Sequence, residues 1–291
     1  MKKIFTCIIC LLMMLTYTGC SQEEKAVRIL CPAGAPSLAF VSEYENIKKE
    51  GTIDFVDGTD QLIAELSKND SEYDIIVAPI NIGTNLMSKN QTNYKLKAIV
   101  TWGNLYVVGK QGALSQQGEL ALFGEGAVPQ KIYDTVNIQT SLTPQYYQSA
   151  SLVQQQLLAE KVNAGVLAEP LASATIAKAK QSGIELSILT DLQKEYGENG
   201  YPQAAIFVKD GKNFDSLFEK IDTFTNQGYE GLQSYLETIG IENLSLPSID
   251  ITVKTMDRQN VHYKEASEYQ KEIKDFLKLF NIEFNENMLS S

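Results

Sequence analysis

The sequence has one histidine, His262, one tryptophan, Trp102, and two arginines, Arg28 and Arg258. A single imidazole excludes a histidine-rich metal site and any catalytic triad that needs a second one. Two guanidinium groups exclude a cluster of bidentate arginines for phosphate or carboxylate. Positive charge is scarce as well: Lys and Arg number 25 against 36 Asp and Glu, a net charge of −11. A protein that grips nucleic acid through its phosphates carries the opposite balance, so no nucleic-acid partner is expected. No apolar run reaches the roughly 20 residues of a membrane-spanning helix. Internal repeats and low-complexity linkers are also missing. What is present, 291 residues at 44% hydrophobic, 21% charged and 9% aromatic, has the composition of a soluble globular protein. The length allows one large domain or two of ordinary size.

The first twenty residues, MKKIFTCIICLLMMLTYTGC, read as an address. Lys2 and Lys3 form a positive start, and the apolar run Ile4–Leu15 matches a secretory segment rather than a membrane span. The end, Tyr17-Thr18-Gly19-Cys20, resembles a bacterial lipoprotein box, with Tyr17 in place of the usual aliphatic residue. The expectation is a signal peptide over 1–19, lipidation (palmitate among the acyl chains) at Cys20, and a short tether over 20–25. Removal of 19 residues carrying two lysines and no acid leaves 272 residues with a net charge of −13. Acyl chains at roughly 0.8 kcal/mol per buried CH₂ would hold the protein on the outer face of the cell membrane. Cys7 and Cys10 fall inside the removed segment, so their C-x-x-C spacing carries no redox chemistry. Cys31 is then the one remaining thiol, and it has no partner for an internal disulfide.

Along the rest of the chain, short apolar runs alternate with helical segments. Nine strands are expected, at 27–30, 52–55, 73–77, 96–100, 106–108, 120–123, 164–167, 186–189 and 204–208. Helices are expected at 59–67, with Leu62, Ile63 and Leu66 on one face, at 151–159, and at 170–181, which opens with a proline and stops near Gly183. From Phe214 on, three helices follow, marked by Phe218, Ile221 and Phe224, by Leu232 and Leu236, and by Ile273, Phe276 and Leu277. The alternation predicts an α/β protein with parallel sheets.

A set of segments carries a resemblance. In order, they are Cys31-Pro32-Ala33-Gly34-Ala35-Pro36-Ser37, Asp74-Ile75-Ile76-Val77-Ala78-Pro79-Ile80-Asn81, Thr101-Trp102-Gly103-Asn104-Leu105-Tyr106, Gly124-Glu125-Gly126-Ala127-Val128-Pro129, Asn163-Ala164-Gly165-Val166-Leu167-Ala168-Glu169-Pro170 and Tyr201-Pro202-Gln203-Ala204-Ala205. Over roughly 26–240 they resemble the substrate-binding proteins of ABC importers, of the nitrate, sulfonate, taurine and thiamine-precursor group. The resemblance implies a two-lobed type II periplasmic-binding fold with two crossover strands, near 104–108 and 202–208. Lobe one would be 26–105 plus 206–291, and lobe two 106–205. It also implies a small-molecule ligand in the cleft and partnership with an ABC permease and ATPase. The binding protein itself would be a monomer.

In open α/β sheets ligands sit beyond the carboxyl ends of the strands. Pro36 and Ser37 follow the first strand, and Ser37 offers a hydroxyl at a helix start. Asn81 carries both donors and an acceptor. Gly126 opens a helix whose free N–H groups suit a polar or anionic group. Each also reads as an ordinary turn or cap. Trp102 is a stacking wall for a ligand or a lobe-core residue; as a wall, Trp102→Ala would weaken affinity at least tenfold, about 1.4 kcal/mol. Glu169 accepts from ligand N–H groups or caps the next helix. Tyr201 and Gln203 are hinge residues or ligand contacts, and Tyr146-Tyr147 either face the cleft or pack within lobe two. The absence of arginine from all these loops favours a neutral or mildly cationic planar ligand, a pyrimidine-like thiamine precursor ahead of a sulfonate.

Three other readings compete, one of them an adhesin or structural surface protein that would need no closed cleft. A pyrimidine-synthesising enzyme of the same fold needs several cysteines and histidines around iron, and only Cys31 and His262 are available. A ligand-sensing subunit for a membrane receptor would share fold and pocket. Gly124-Glu125-Gly126 lacks the third glycine of a dinucleotide fingerprint, and no phosphate-binding loop is present. The expectation is a binding protein without catalytic residues, cofactor or metal.

Overall fold

The structure, a computed structural model, describes residues 26–290. The expected leader, Cys20 and the tether up to residue 25 lie outside the described residues. Among the described residues no helix is long and apolar enough to cross a membrane.

Eleven strands are formed by the described residues: β1 (Arg28–Pro32), β2 (Thr52–Val56), β3 (Ile75–Pro79), β4 (Tyr94–Thr101), β5 (Leu105–Gly109), β6 (Gly118–Phe123), β7 (Leu142–Tyr147), β8 (Ala164–Ala168), β9 (Ser187–Asp191), β10 (Ala204–Lys209) and β11 (Val261–Glu265). They build two sheets, in the orders β11-β4-β10-β3-β1-β2 and β7-β6-β8-β5-β9. Setting aside the extra edge strand β11, the two orders are the same. In each, the first strand lies between the second and third, and a strand arriving from the other sheet lies between the third and fourth. That visiting strand is β10 in the first sheet and β5 in the second. Each runs antiparallel to both its neighbours, while β1, β2 and β3 are mutually parallel, as are β6, β7 and β8. The sheets are therefore mixed where the alternation predicts parallel ones. A chain that crosses between lobes must enter the second sheet heading away from the hinge, which is opposite to the strands that end there. The chain is a two-lobed α/β protein with the type II periplasmic-binding architecture.

The nine expected strands form within a few residues of their expected limits: seven are central in their sheets, and the edge strands β2 and β9 still carry short apolar stretches, Ile53 with Phe55 and Ile188 with Leu189. The two unexpected ones, β7 and β11, are sheet edges. β7 reads LTPQYY with Pro144 inside it, and β11 reads VHYKE. Edge strands tolerate proline and polar side chains, and these two lack the apolar run that marks the others. The helices at 60–67, 150–158 and 171–181 also form. In the first, Leu62 and Leu66 are fully buried but Ile63 turns outward, 38% exposed. The late helices Asp215–Asn226, Leu232–Ile239 and Gln270–Lys278 bury the expected apolar residues.

The lobes meet at two short crossings, Trp102–Asn104 between β4 and β5 and the stretch 200–203 before β10. Gly103 has φ +84°, and a Cβ there would stand 2.6 Å from the Tyr201 ring, so a left-handed backbone and a close aromatic both require glycine. Tyr201 stacks on Phe276, with centroids 5.7 Å apart and planes 8° from parallel. The helix Gln270–Lys278 thereby braces the hinge.

Candidate functional site

Pairing registers show which way the strand ends point. Pro79 at the end of β3 pairs with Ala204 at the start of β10, and Ala168 at the end of β8 pairs with Leu105 at the start of β5. The carboxyl ends of β1, β3, β6 and β8 thus face the hinge from both lobes, where ligands of open α/β sheets are held. All the loops singled out from sequence emerge there, and the structure gives their side chains different tasks.

Pro36 is half-buried in the first turn of the 3-10 helix Ala35–Glu43. Ser37 is fully buried, and both its N–H and its hydroxyl donate to the Gly34 carbonyl, at 3.1 and 2.7 Å. It shapes its own loop. Gly126 has φ +77° and donates its N–H to Gln130 Oε1 at 2.7 Å, while Ala127 N–H is taken by the Gly124 carbonyl. Of the N–H groups at this helix start, those of Gly126 and Ala127 therefore already have acceptors within the loop and its first turn. Asn81 is half-buried at the start of the helix Ile80–Ser88, and its Oδ1 is buried without a hydrogen-bond donor.

Trp102 takes the packing position. A stacking wall needs an open ring face and a free N–H, and Trp102 has neither. It is 1% exposed, its indole Nε1 donates to the His262 carbonyl at 3.1 Å, and Tyr269 lies 5.0 Å from it. The Lys264 ammonium sits 4.7 Å over Trp102 and 4.8 Å over Tyr269, and burial holds its pKa below the ordinary lysine value.

Glu169 caps rather than presents. Its buried carboxylate accepts from Ser173 N–H at 3.0 Å, Ser173 Oγ at 2.8 Å and Arg258 Nε at 2.8 Å. Arg258 Nη2 also donates to Ser173 Oγ at 2.8 Å, and Tyr106 donates its hydroxyl proton to the Arg258 carbonyl at 2.9 Å. Arg258 belongs to the segment that follows β10, so this pair ties that segment to lobe two beside the hinge. Neither Arg258 nor Ser173 stands out from sequence: they lie 89 and 4 positions from Glu169. The one pointer is that Arg258 is half of the chain's arginine.

Gln203 closes a polar chain across the hinge. Its Nε2 donates to Asn104 Oδ1, and Asn104 Nδ2 donates to the Glu169 carbonyl, both at 3.1 Å. Its backbone is held on both sides, N–H to the Thr101 carbonyl and carbonyl from Ile80 N–H. Tyr201 is fully buried and burial raises its pKa well above the ordinary value. Tyr146 and Tyr147 are half-buried at the cleft end of β7.

Elsewhere, a groove of about 460 Å³ runs along the outer edge of lobe one, between the helix Asp215–Asn226 and β11, and none of the residues singled out for the cleft lines it. Cys31 is fully buried in β1, and burial pushes its thiol well above the ordinary range, which suppresses the nucleophilic thiolate. Among the described residues no group of three His, Cys, Asp or Glu side chains is placed to hold a metal ion.

No family model and no curated protein matches the sequence. Solved structures do. An ABC transporter from Parabacteroides distasonis is similar at 26% identity, over 88% of this chain and 92% of that one, with TM-score 0.73. The periplasmic aliphatic sulphonate binding protein SsuA from Escherichia coli shares the fold at 13% identity, over 88% and 87%, with TM-score 0.64. The alkanesulfonate-binding protein SsuA from Xanthomonas axonopodis pv. citri, bound to MOPS, does so at 15% identity, over 89% and 93%, with TM-score 0.57. The chain thus has the architecture of the substrate-binding proteins of ABC importers, with sulfonate-binding proteins among its structural relatives.

Proposed function

We propose that this chain is an extracytoplasmic solute-binding lipoprotein that captures a small organic ligand between its lobes and delivers it to an ABC import permease. The observation that carries the reading is the matched pair of sheets whose parallel strands end face to face across two short crossings. The likeness to binding proteins over most of both chains supports it. On this reading, residues 26–105 with 206–291 form one moving body and 106–205 the other. The chain works without catalysis, as a monomer held to the membrane by lipid on Cys20.

A thermal-shift screen over pyrimidines, sulfonates, amines and aromatic metabolites tests the binding function. A true ligand at a hundred times its Kd stabilises the folded chain by about 2.7 kcal/mol. A screen in which nothing moves the melting temperature speaks against a binding protein. The anchor is tested separately: Cys20→Ala is expected to move the protein from the membrane fraction to the soluble one, and retention on the membrane would refute lipidation there.

A further inference from the structure

We propose that Arg258 is a positioning residue for ligand capture: it clasps lobe one to lobe two beside the crossings and sets the resting angle of the cleft. This rests on the binding-protein reading and adds to it a residue that governs the lobes without touching the ligand.

The neighbours of Arg258 fix its backbone in lobe one. Val261 pairs with Thr101 at the end of β4. Asn260 and Trp102 exchange two bonds, Trp102 N–H to the Asn260 carbonyl at 2.9 Å and Asn260 Nδ2 to the Trp102 carbonyl at 2.8 Å. Gln259 is fully buried, and its Nε2 donates to the Thr252 carbonyl at 2.8 Å and to Thr255 Oγ1 at 3.0 Å. The turn that carries Arg258 therefore moves with lobe one.

Its partners move with lobe two. Tyr106 lies in β5, Glu169 directly follows β8, and Ser173 belongs to the helix Leu171–Gln181. The guanidinium spans Glu169 Oε1 and Ser173 Oγ, each at 2.8 Å, and the Tyr106 hydroxyl reaches the Arg258 carbonyl at 2.9 Å. A long arginine side chain follows a moving partner by changing rotamer. The third bond has no such freedom, because its acceptor is a backbone carbonyl in a fixed turn and its donor, Tyr106, is 3% exposed. A bond of 2.9 Å has roughly half an ångström to give before its geometry fails. Rotation of the lobes about the crossings therefore breaks it.

The cleft contributes no such tie. Among the described residues, no hydrogen bond joins the loops 33–37 and 79–82 of lobe one to the loops 124–127 and 145–149 of lobe two. The arrangement of the lobes is thus held from the hinge. A ligand that bonds to the loops of both lobes turns them toward each other, and the population free to turn sets its apparent affinity. Arg258 acts on binding through that population.

The test is small-angle X-ray scattering of the purified, ligand-free protein, parent against Arg258→Ala and Tyr106→Phe. Circular dichroism and urea denaturation on the same samples show which variants fold and how stable they are. The parent is expected to scatter as the clasped structure does, and the pair-distance distribution of Arg258→Ala to broaden as its lobes turn freely. Tyr106→Phe keeps the ion pair and removes one hydroxyl, so it decides the matter if Arg258→Ala does not fold. Its distribution is expected to broaden in the same way, by less. Scattering unchanged in every variant that folds, with or without a lower urea midpoint, overturns the proposal and leaves Arg258 an ordinary stabilising residue. Because the samples hold no ligand, that failure is distinct from failure of the binding function, which only silence across the ligand screen removes.

Discussion

Trp102→Ala is expected to destabilise the fold by about 4 kcal/mol, the usual cost of emptying a large aromatic site in a packed interior. The ring is 1% exposed, between Tyr269 and the strand that carries His262. Its loss opens a void at the first crossing and strips the His262 carbonyl of its indole donor. It also removes one of the two rings under Lys264, an ammonium already partly buried. A buried acceptor left without a donor adds about 1–3 kcal/mol to such a deletion. Urea or guanidinium denaturation reads the effect directly. A variant that unfolds at the parent's midpoint but binds ligand at least tenfold more weakly would return Trp102 to the stacking role that its position in the sequence suggests.

Arg258→Ala has the second large effect. It leaves the Glu169 carboxylate, whose side chain has no solvent exposure, without its cation, and breaking one partner of a buried pair costs about 3–5 kcal/mol. The cost here falls toward the lower figure, about 3 kcal/mol, because Ser173 still donates twice to Glu169 and Arg258 itself is 42% exposed. Glu169→Gln alone should cost less, since a neutral amide needs no counter-charge. The double variant should cost less than the sum of the two, and a double-mutant cycle by chemical denaturation measures that coupling. Strict additivity, or an Arg258→Ala midpoint equal to the parent's, would show that the pair does not hold the C-terminal segment to lobe two.

How much of this was legible in the sequence depends on how local the signal is. Leu62 and Leu66, Phe218 and Ile221, Ile273 and Phe276 announce their buried faces by spacing, and the structure buries all six. Ile63 sits next to Leu62 in the sequence and still faces outward, because an eight-residue helix against one sheet buries a narrow stripe. β7 and β11 escaped notice because an edge strand needs no continuous apolar run. At the site, the loops were found but not the tasks of their side chains. Ser37, Gly126 and Glu169 each had an ordinary structural reading beside a binding one, and what separates the two is whether a partner stands within hydrogen-bond distance.

The sequence by itself determined the exclusions, the alternating elements and the order of cleft loops, all of which follow from residue type and short-range periodicity. The scarcity of histidine and arginine belongs there too. Only the tertiary structure decided that Arg258 serves Glu169, that Trp102 is packed, and that Gln203 bonds Asn104 across the hinge. Those outcomes depend on contacts across 89, 160 and 99 positions of chain, respectively. No local pattern encodes such pairings, because each hydrogen bond is fixed by where the fold brings the second partner.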